Sequence, residues 1–156
     1  MKKNKLETLI LTALISALCA IGSFIKVPGF ITTAALDSAP AFISVAFLSP
    51  LYSGLAGFIG HFATGLTSGF PLGPFHFIIA IEMFLVVYVF NVLHRKGHNL
   101  LKWLFLIFSN GVLAALPFYF LISPEFFIAA IPNLLIATVI NAIVAMIAIP
   151  IITKVY

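Results

Sequence analysis

The sequence predicts an all-α integral membrane protein: a bundle of six membrane-crossing helices with both termini in the cytoplasm. Three observations carry this. Of the 156 residues, 63% are hydrophobic and only 8% are charged, against roughly 25% charged in a soluble domain. The apolar residues form continuous runs, not the polar–apolar alternation of a membrane β-barrel. The positive charges also fall on one side of the topology those runs define. A soluble enzyme or binding module needs far more polar surface, and the same composition excludes a disordered or collagen-like chain. A helix needs ~20 apolar residues to cross the ~30 Å hydrocarbon core, so six crossings use about 120 residues. Short connections remain, in one domain covering 1–156.

The first span, about 6–25, follows Lys2, Lys3 and Lys5 and stops at the Lys26-Val27-Pro28-Gly29 turn. A cleaved signal peptide is the rival reading, but Leu18 sits where a small residue is wanted before a cut near Cys19. A loop over 26–36 leads to a short second span, about 38–48. Its ~17 Å of helix, at ~1.5 Å per residue, also suits a re-entrant segment. Ser49-Pro50 breaks the chain, and Pro50 fits the first turn of the third span, about 51–68. The loop Gly69-Phe70-Pro71-Leu72-Gly73-Pro74 precedes the fourth, about 75–93. His94-Arg95-Lys96-Gly97-His98-Asn99 precedes the fifth, about 101–122. Ser123-Pro124-Glu125 precedes the sixth, about 127–152, which contains Pro132 and Pro150.

Charge decides the parity. With six crossings and an inner N-terminus, Lys2, Lys3, Lys5, Arg95, Lys96, Lys102 and Lys154 lie inside and Lys26 alone lies outside. That is a strong positive-inside bias. If the second span did not cross, Arg95, Lys96 and Lys102 would move outside. Tyr52, Trp103 and Tyr156 fall at the inner interface, where amphipathic rings prefer to sit. The formal charge of +4 is too dispersed to imply nucleic acid. Cys19 is the lone cysteine, so no intramolecular disulfide or thiolate cluster forms.

Polar groups inside a bilayer are costly and mark candidate sites. Asp37 and Ser38 lie at the outer start of the second span. His61, Thr64 and Ser68 share one face of the third, at spacings of three and four, and Gly54, Gly57 and Gly60 form a neighbouring stripe suited to close helix packing. His76 lies one turn inside the fourth span, and Glu82 about 12 Å deep in it at ~1.5 Å per residue. Asn110, Asn133 and Asn141 follow in the last two spans. Most of these groups sit in the outer half or near the middle, which describes a polar chamber open to the outside above an apolar floor. The candidate ligand contacts are Asp37, Ser38, His61, Thr64, Ser68, His76, Glu82, Asn110 and Asn133. Each has a plainer alternative: Asp37 as a helix cap or a partner of Lys26, Glu82 as a neutral acid bonded to a neighbouring helix, His61 and the asparagines as interhelical bonds. His76 and Glu82 lie six residues apart, roughly 120° around a helix at ~100° per residue, and do not point to one spot on a straight helix. Phe30, Phe70 and Phe75, near the outer loops, are candidates to stack on a ring.

Catalytic signatures are missing. There is no phosphate-binding Gly-rich loop, no His-Glu-x-x-His, no Gly-x-Ser-x-Gly and no CxxC, so no enzymatic activity, cofactor or metal is expected. Movement of a solute against a gradient then needs an ion or a partner. Ala13 and Ala17, with Ala20 three residues on, form a small-residue stripe on the first helix that admits either an external helix or packing within the bundle.

With these residues in view, the chain resembles the substrate-binding S components of energy-coupling factor (ECF) transporters for vitamins. The resemblance covers nearly the whole chain: its size, six spans, inner termini, long first outer loop and Ala13-x-x-x-Ala17. It implies that the alanine stripe docks onto a shared transmembrane subunit driven by two ATP-binding-cassette ATPases. It also implies a ligand held near the outer face of the plasma membrane under the outer loops. Thr33-Ala34-Ala35-Leu36-Asp37-Ser38-Ala39-Pro40 and the stretch from Gly60-His61-Phe62 to Pro71-Leu72-Gly73 resemble the S components assigned to α-ribazole, a cobalamin lower-ligand precursor. Asp37 or Glu82 suits the ribose hydroxyls, and His76 or His61 the ring nitrogen. The competing functions are a stand-alone proton-coupled carrier using Glu82, a metal-dependent membrane enzyme using His61, His76 and Glu82, and a structural membrane subunit.

Overall fold

The computed structural model describes residues 4–155; Lys2, Lys3 and Tyr156 lie outside the described residues. Helix α1 is Lys5–Gly22. Asn4 caps it, its side-chain oxygen accepting from Glu7 N–H at 2.7 Å, and Glu7 complements the positive end of the helix. Thr12, Ile15, Ser16, Cys19 and Gly22 face the bundle, while Leu6, Ile10, Leu14, Leu18 and Ile21 are exposed. This is the split expected of a helix with one face in lipid.

The chain then folds back in a hairpin-like loop. Lys26 and Ala35 form an antiparallel bridge, with Val27 N–H donating to Ala34 C=O at 2.9 Å and Leu36 N–H to Ile25 C=O at 3.0 Å. Val27, Ile31, Ala34 and Ala35 are buried, so this loop packs down on the helices. It leads to α2, Ala39–Ile43, and a 3-10 turn, Ser44–Ala46. The continuous helix expected over 38–48 is therefore a five-residue helix plus a turn. Ser44 explains the stop: its hydroxyl donates back to Ala41 C=O at 2.7 Å and bonds Ser53 Oγ at 2.8 Å, in competition with regular helical bonding. Phe42 is fully buried at the centre, edge-to-face on Phe90 at 5.1 Å.

Helices α3, Pro50–Thr67, and α4, Phe75–Arg95, pack closely through the glycine stripe. A Cβ on Gly57 would press on Val87, and one on Gly60 would collide with the Cβ of Cys19 on α1. Helix α5, Asn99–Gly111, gives way to a 3-10 turn at Leu113–Ala115 and to α6, Leu116–Leu121. The fifth expected span is thus broken just ahead of Pro117, which has no N–H to continue the ladder. Helix α7, Pro124–Thr153, is 30 residues long and runs through Pro132 and Pro150. Ser123 Oγ accepts from Phe126 N–H at 3.1 Å to cap it.

Among the described residues, four segments are long and apolar enough to cross a membrane: Lys5–Gly22, Phe75–Arg95, Asn99–Leu121 and Pro124–Thr153. Helix α3 is not among them, because its glycines, His61 and Thr64 dilute its apolar character. One core centres on Phe42, Phe90 and Leu106. A second lies under the first loop around Ile31, Ala115 and Ala137. At the end of the bundle near the α4–α5 turn, Asn91 Nδ2 donates to Ser53 Oγ at 2.8 Å and to Leu48 C=O at 3.1 Å. Arg95 donates to Asn91 Oδ1 and to the same carbonyl, at 2.9 and 2.8 Å. The network satisfies the chain end of the 3-10 segment inside the fold.

Candidate functional site

Two asparagines of α7 hold the first loop down. Asn133 Oδ1 accepts from Ile31 N–H at 2.7 Å, and its Nδ2 donates to Pro28 C=O at 3.3 Å. Asn141 Oδ1 accepts from Ala39 N–H at 2.8 Å, and its Nδ2 donates to Ala35 C=O at 2.8 Å. They are eight residues apart, about 12 Å along the helix axis. Lys26 adds a third tie, donating from Nζ to Ser68 Oγ at 2.6 Å and so joining the first loop to the end of α3. Burial holds the Lys26 ammonium below the usual lysine range, and the charge of Asp37 partly opposes this.

Beneath the loop lies a cavity of about 70 Å³, room for a handful of waters. Its walls come from the loop (Ile31, Thr33), α3 (His61), α4 (Ile79, Met83), the α5–α6 segment (Asn110, Phe118) and α7 (Phe126, Asn141), with Asp37 and Ser38 at the start of α2. Most of this lining is apolar. The polar groups cluster at one point. Asp37 is 8% exposed, and its Oδ2 accepts from Thr64 Oγ1 at 2.7 Å and lies 3.4 Å from His61 Nδ1. With a carboxylate beside Nδ1, the neutral form of the His61 ring carries its proton on Nδ1 and a lone pair on Nε2. That Nε2 is buried and has no partner among the described residues. Asn110 faces its own partner, donating to Thr138 Oγ1 at 2.8 Å. Phe118 and Phe126 meet edge-to-face at 6.0 Å and give the chamber an aromatic wall.

The expected site residues separate into groups. Asp37, Ser38, His61 and Asn110 line the cavity, and Thr64 braces Asp37 from behind. His76 does not line it: the ring is fully buried, 5.5 Å from Phe70 and 5.9 Å from His61, and its Nε2 accepts a long 3.4 Å bond from Leu72 N–H. It supports the turn in which Phe70 adopts φ 49 between Gly69 and Gly73 at φ 74 and 53. A side chain at such an angle costs about 1–3 kcal/mol, offset here by Phe70 N–H donating to Gly65 C=O at 2.8 Å and by the packed ring. Ser68 and Asn133 fasten the roof. Glu82 is half-buried on α4, its Oε2 without a partner among the described residues, and it lies away from the cavity lining. As the 120° offset requires, it does not converge with His76. Among the described residues, no three His, Cys, Asp or Glu side chains stand together as a metal site.

Met83, Phe118, Phe126 and Thr138 also line the chamber without having been expected there, and Asn141, weighed beside Asn110 and Asn133, was not among the expected ligand contacts. Ile79 and Met83 follow His76 at helical spacing, a signal that was available; the α5–α6 and α7 contributions depend on how distant segments pack. On α1, Ala13 and Ala17 are exposed, and Ala20 is half-buried.

Residues 7–154 match the family described as the substrate-specific component of the ECF transporter. No curated protein and no solved structure matches the chain. The family match spans almost the whole chain and accords with an all-helical, strongly apolar fold. The protein therefore belongs to the ECF transporter substrate-specific components, membrane subunits that are not enzymes and that bind a small molecule for transport with a transmembrane subunit and ATPases.

Proposed function

We propose that this S component captures a vitamin or vitamin precursor, with α-ribazole as the favoured ligand, in the chamber beneath the first loop, which widens from its closed volume of about 70 Å³ as the loop lifts to admit a molecule far larger than a few waters. The observation that carries the reading is the paired Asp37–His61 at the chamber wall, with His61 Nε2 buried and lacking a donor. A sugar hydroxyl donates to that lone pair, a second hydroxyl reaches Asp37, and Phe118 and Phe126 offer edges and faces to a flat ring system. Among the described residues no Lys or Arg lines the cavity, which favours a neutral ligand over an anionic one. The likeness of residues 33–40 and 60–73 to α-ribazole S components points the same way.

The accompanying topology is six crossings with both ends in the cytoplasm, in the plasma membrane, so that the loop over the chamber faces outward. The bias of Lys and Arg supports it. The exposure of Ala13 and Ala17 supports the α1 face as the surface that meets the transmembrane subunit, where small residues permit close approach.

Equilibrium binding to the purified chain in detergent tests the ligand. Saturable binding of α-ribazole, weakened about tenfold by His61→Ala through loss of one buried hydrogen bond, is the expected result. Saturable binding of a different vitamin and none of α-ribazole would replace the ligand while keeping the vitamin reading. No binding of any vitamin at high micromolar concentration would end that reading.

A further inference from the structure

A second cavity, of about 420 Å³, opens at the opposite end of the bundle. It lies between the end of α4, the first turns of α5 and the end of α7. Lys102, His94 and Lys154 are among its polar lining residues, and Trp103, Met146 and Pro150 among its apolar ones. Lys102 is 4% exposed. Its Nζ donates to His94 Nδ1 at 2.9 Å and to Asn99 Oδ1 at 3.1 Å, and it sits 5.3 Å from the Trp103 ring. An ammonium has three hydrogens and no lone pair, so His94 accepts through a neutral ring. The two hydrogen-bond acceptors around this buried charge are therefore uncharged. The chain's four acidic residues, Glu7, Asp37, Glu82 and Glu125, line none of this cavity. A buried cation without an anion is unfavourable, and among the described residues none faces Lys102 at the mouth of this cavity.

We infer that this cavity is a binding site for the phosphate of an anionic phospholipid. The charge is complementary: Lys102 and Lys154 offer two cationic groups to one phosphate, with Arg95 and Lys96 close in sequence. The chemistry of the lining fits a lipid and not a soluble anion, because Trp103, Met146, Ile149 and Pro150 stand in it beside the lysines and suit acyl or glycerol carbons. The position fits as well. Trp103 is the amphipathic ring of a headgroup-level belt, and basic pockets between transmembrane helices are suited to acidic headgroups. This site is separate from the chamber under the first loop and does not depend on the ligand proposed for it.

Trp103 is the only tryptophan, so its fluorescence reports this cavity directly. The full chain is reconstituted in phosphatidylcholine vesicles with small amounts of brominated phosphatidylglycerol or, in parallel, brominated phosphatidylcholine. The expected result is stronger quenching by the anionic lipid at equal mole fraction. Exposed Lys154→Gln, which leaves the buried contacts intact, should weaken that preference about fivefold, the effect of one lysine near a charged surface. Lys102→Gln should abolish it, and Lys102→Arg should retain most of it. Equal quenching by the two lipids, or a preference unchanged in both glutamine variants, overturns the inference. Loss of the preference on adding millimolar inorganic phosphate, at ionic strength matched with chloride, assigns the site to soluble phosphate and overturns its assignment to lipid.

Discussion

Replacing Asn141 by leucine tests how the chamber is roofed. Leucine is the informative choice, because alanine would leave space for a chamber water to restore the lost bonds. The substitution strands two buried backbone groups: the N–H of Ala39 and the C=O of Ala35, each held at 2.8 Å by the Asn141 amide. Each stranded group costs about 1–3 kcal/mol, together about 2–6 kcal/mol. The third bond, from Nδ2 to Ala137 C=O at 2.9 Å, adds little, since that carbonyl can still accept within the helix. Hydrogen exchange at the Ala39 amide reads the effect locally. Losing 1–3 kcal/mol of protection accelerates exchange about fivefold to 160-fold, whereas core amides such as that of Phe90 should change much less. Apparent ligand affinity falls in proportion to the fraction of molecules with the roof in place. If Ala39 exchanges within twofold of the parent protein and the thermal transition is unmoved, the asparagine is not the fastening that the geometry describes.

Three further outcomes are expected. Gly60→Ala should destabilise the purified protein by about 1–3 kcal/mol through overpacking against Cys19. Cys19→Gly in the same chain should recover much of that loss, a coupling that a double-mutant cycle of thermal or denaturant midpoints measures. Asp37→Asn should weaken ligand binding about tenfold or more by removing the charged acceptor beside His61, with the helical circular dichroism unchanged; binding equal to that of the parent would remove Asp37 from the ligand's contacts. Ala13→Trp should abolish uptake in cells that supply the transmembrane subunit and ATPases while leaving ligand binding by the isolated chain intact. Equal loss of both would make the stripe part of the bundle's own packing.

Much of the helical layout is legible in hydropathy and punctuation. Helix α3 begins at Pro50 and α4 at Phe75, where Ser49-Pro50 and Gly73-Pro74 end the preceding apolar runs. The short second segment and the break before Pro117 were harder to read. A run of apolar residues does not reveal that Ser44 will bond to Ala41 and Ser53, nor that Val112 leaves helical geometry at φ −128. The site divides the same way. Asp37 and His61 stand out as costly polar groups in apolar surroundings, and their cost is met by each other and by Thr64. His76 stands out equally, yet it props a turn. Residue type shows that a polar side chain needs a partner, while the partner's identity comes from segments far apart in the chain. Asn133 and Asn141 illustrate this: their partners lie more than a hundred residues upstream, with separations of 102, 105 and 106.

The roof's fastenings also bear on where energy enters transport. Two bonds from Asn133, two from Asn141 and the Lys26–Ser68 tie hold the loop over the chamber. At a net 0.5–1.5 kcal/mol each, these contribute about 2.5–7.5 kcal/mol, an opening within reach of thermal fluctuation. Local openings of this size are ordinary for binding loops. A ligand that contacts the loop from within adds to the closed state and shifts the same equilibrium further toward it. This supports capture by the isolated chain without ATP, and it makes ligand release the step that opposes the gradient of binding energy. The family works with ATPases, and these are the energy source available to that step. Mutations in the fastenings and mutations on the exposed α1 face should therefore separate: the first change equilibrium binding, and the second change uptake alone.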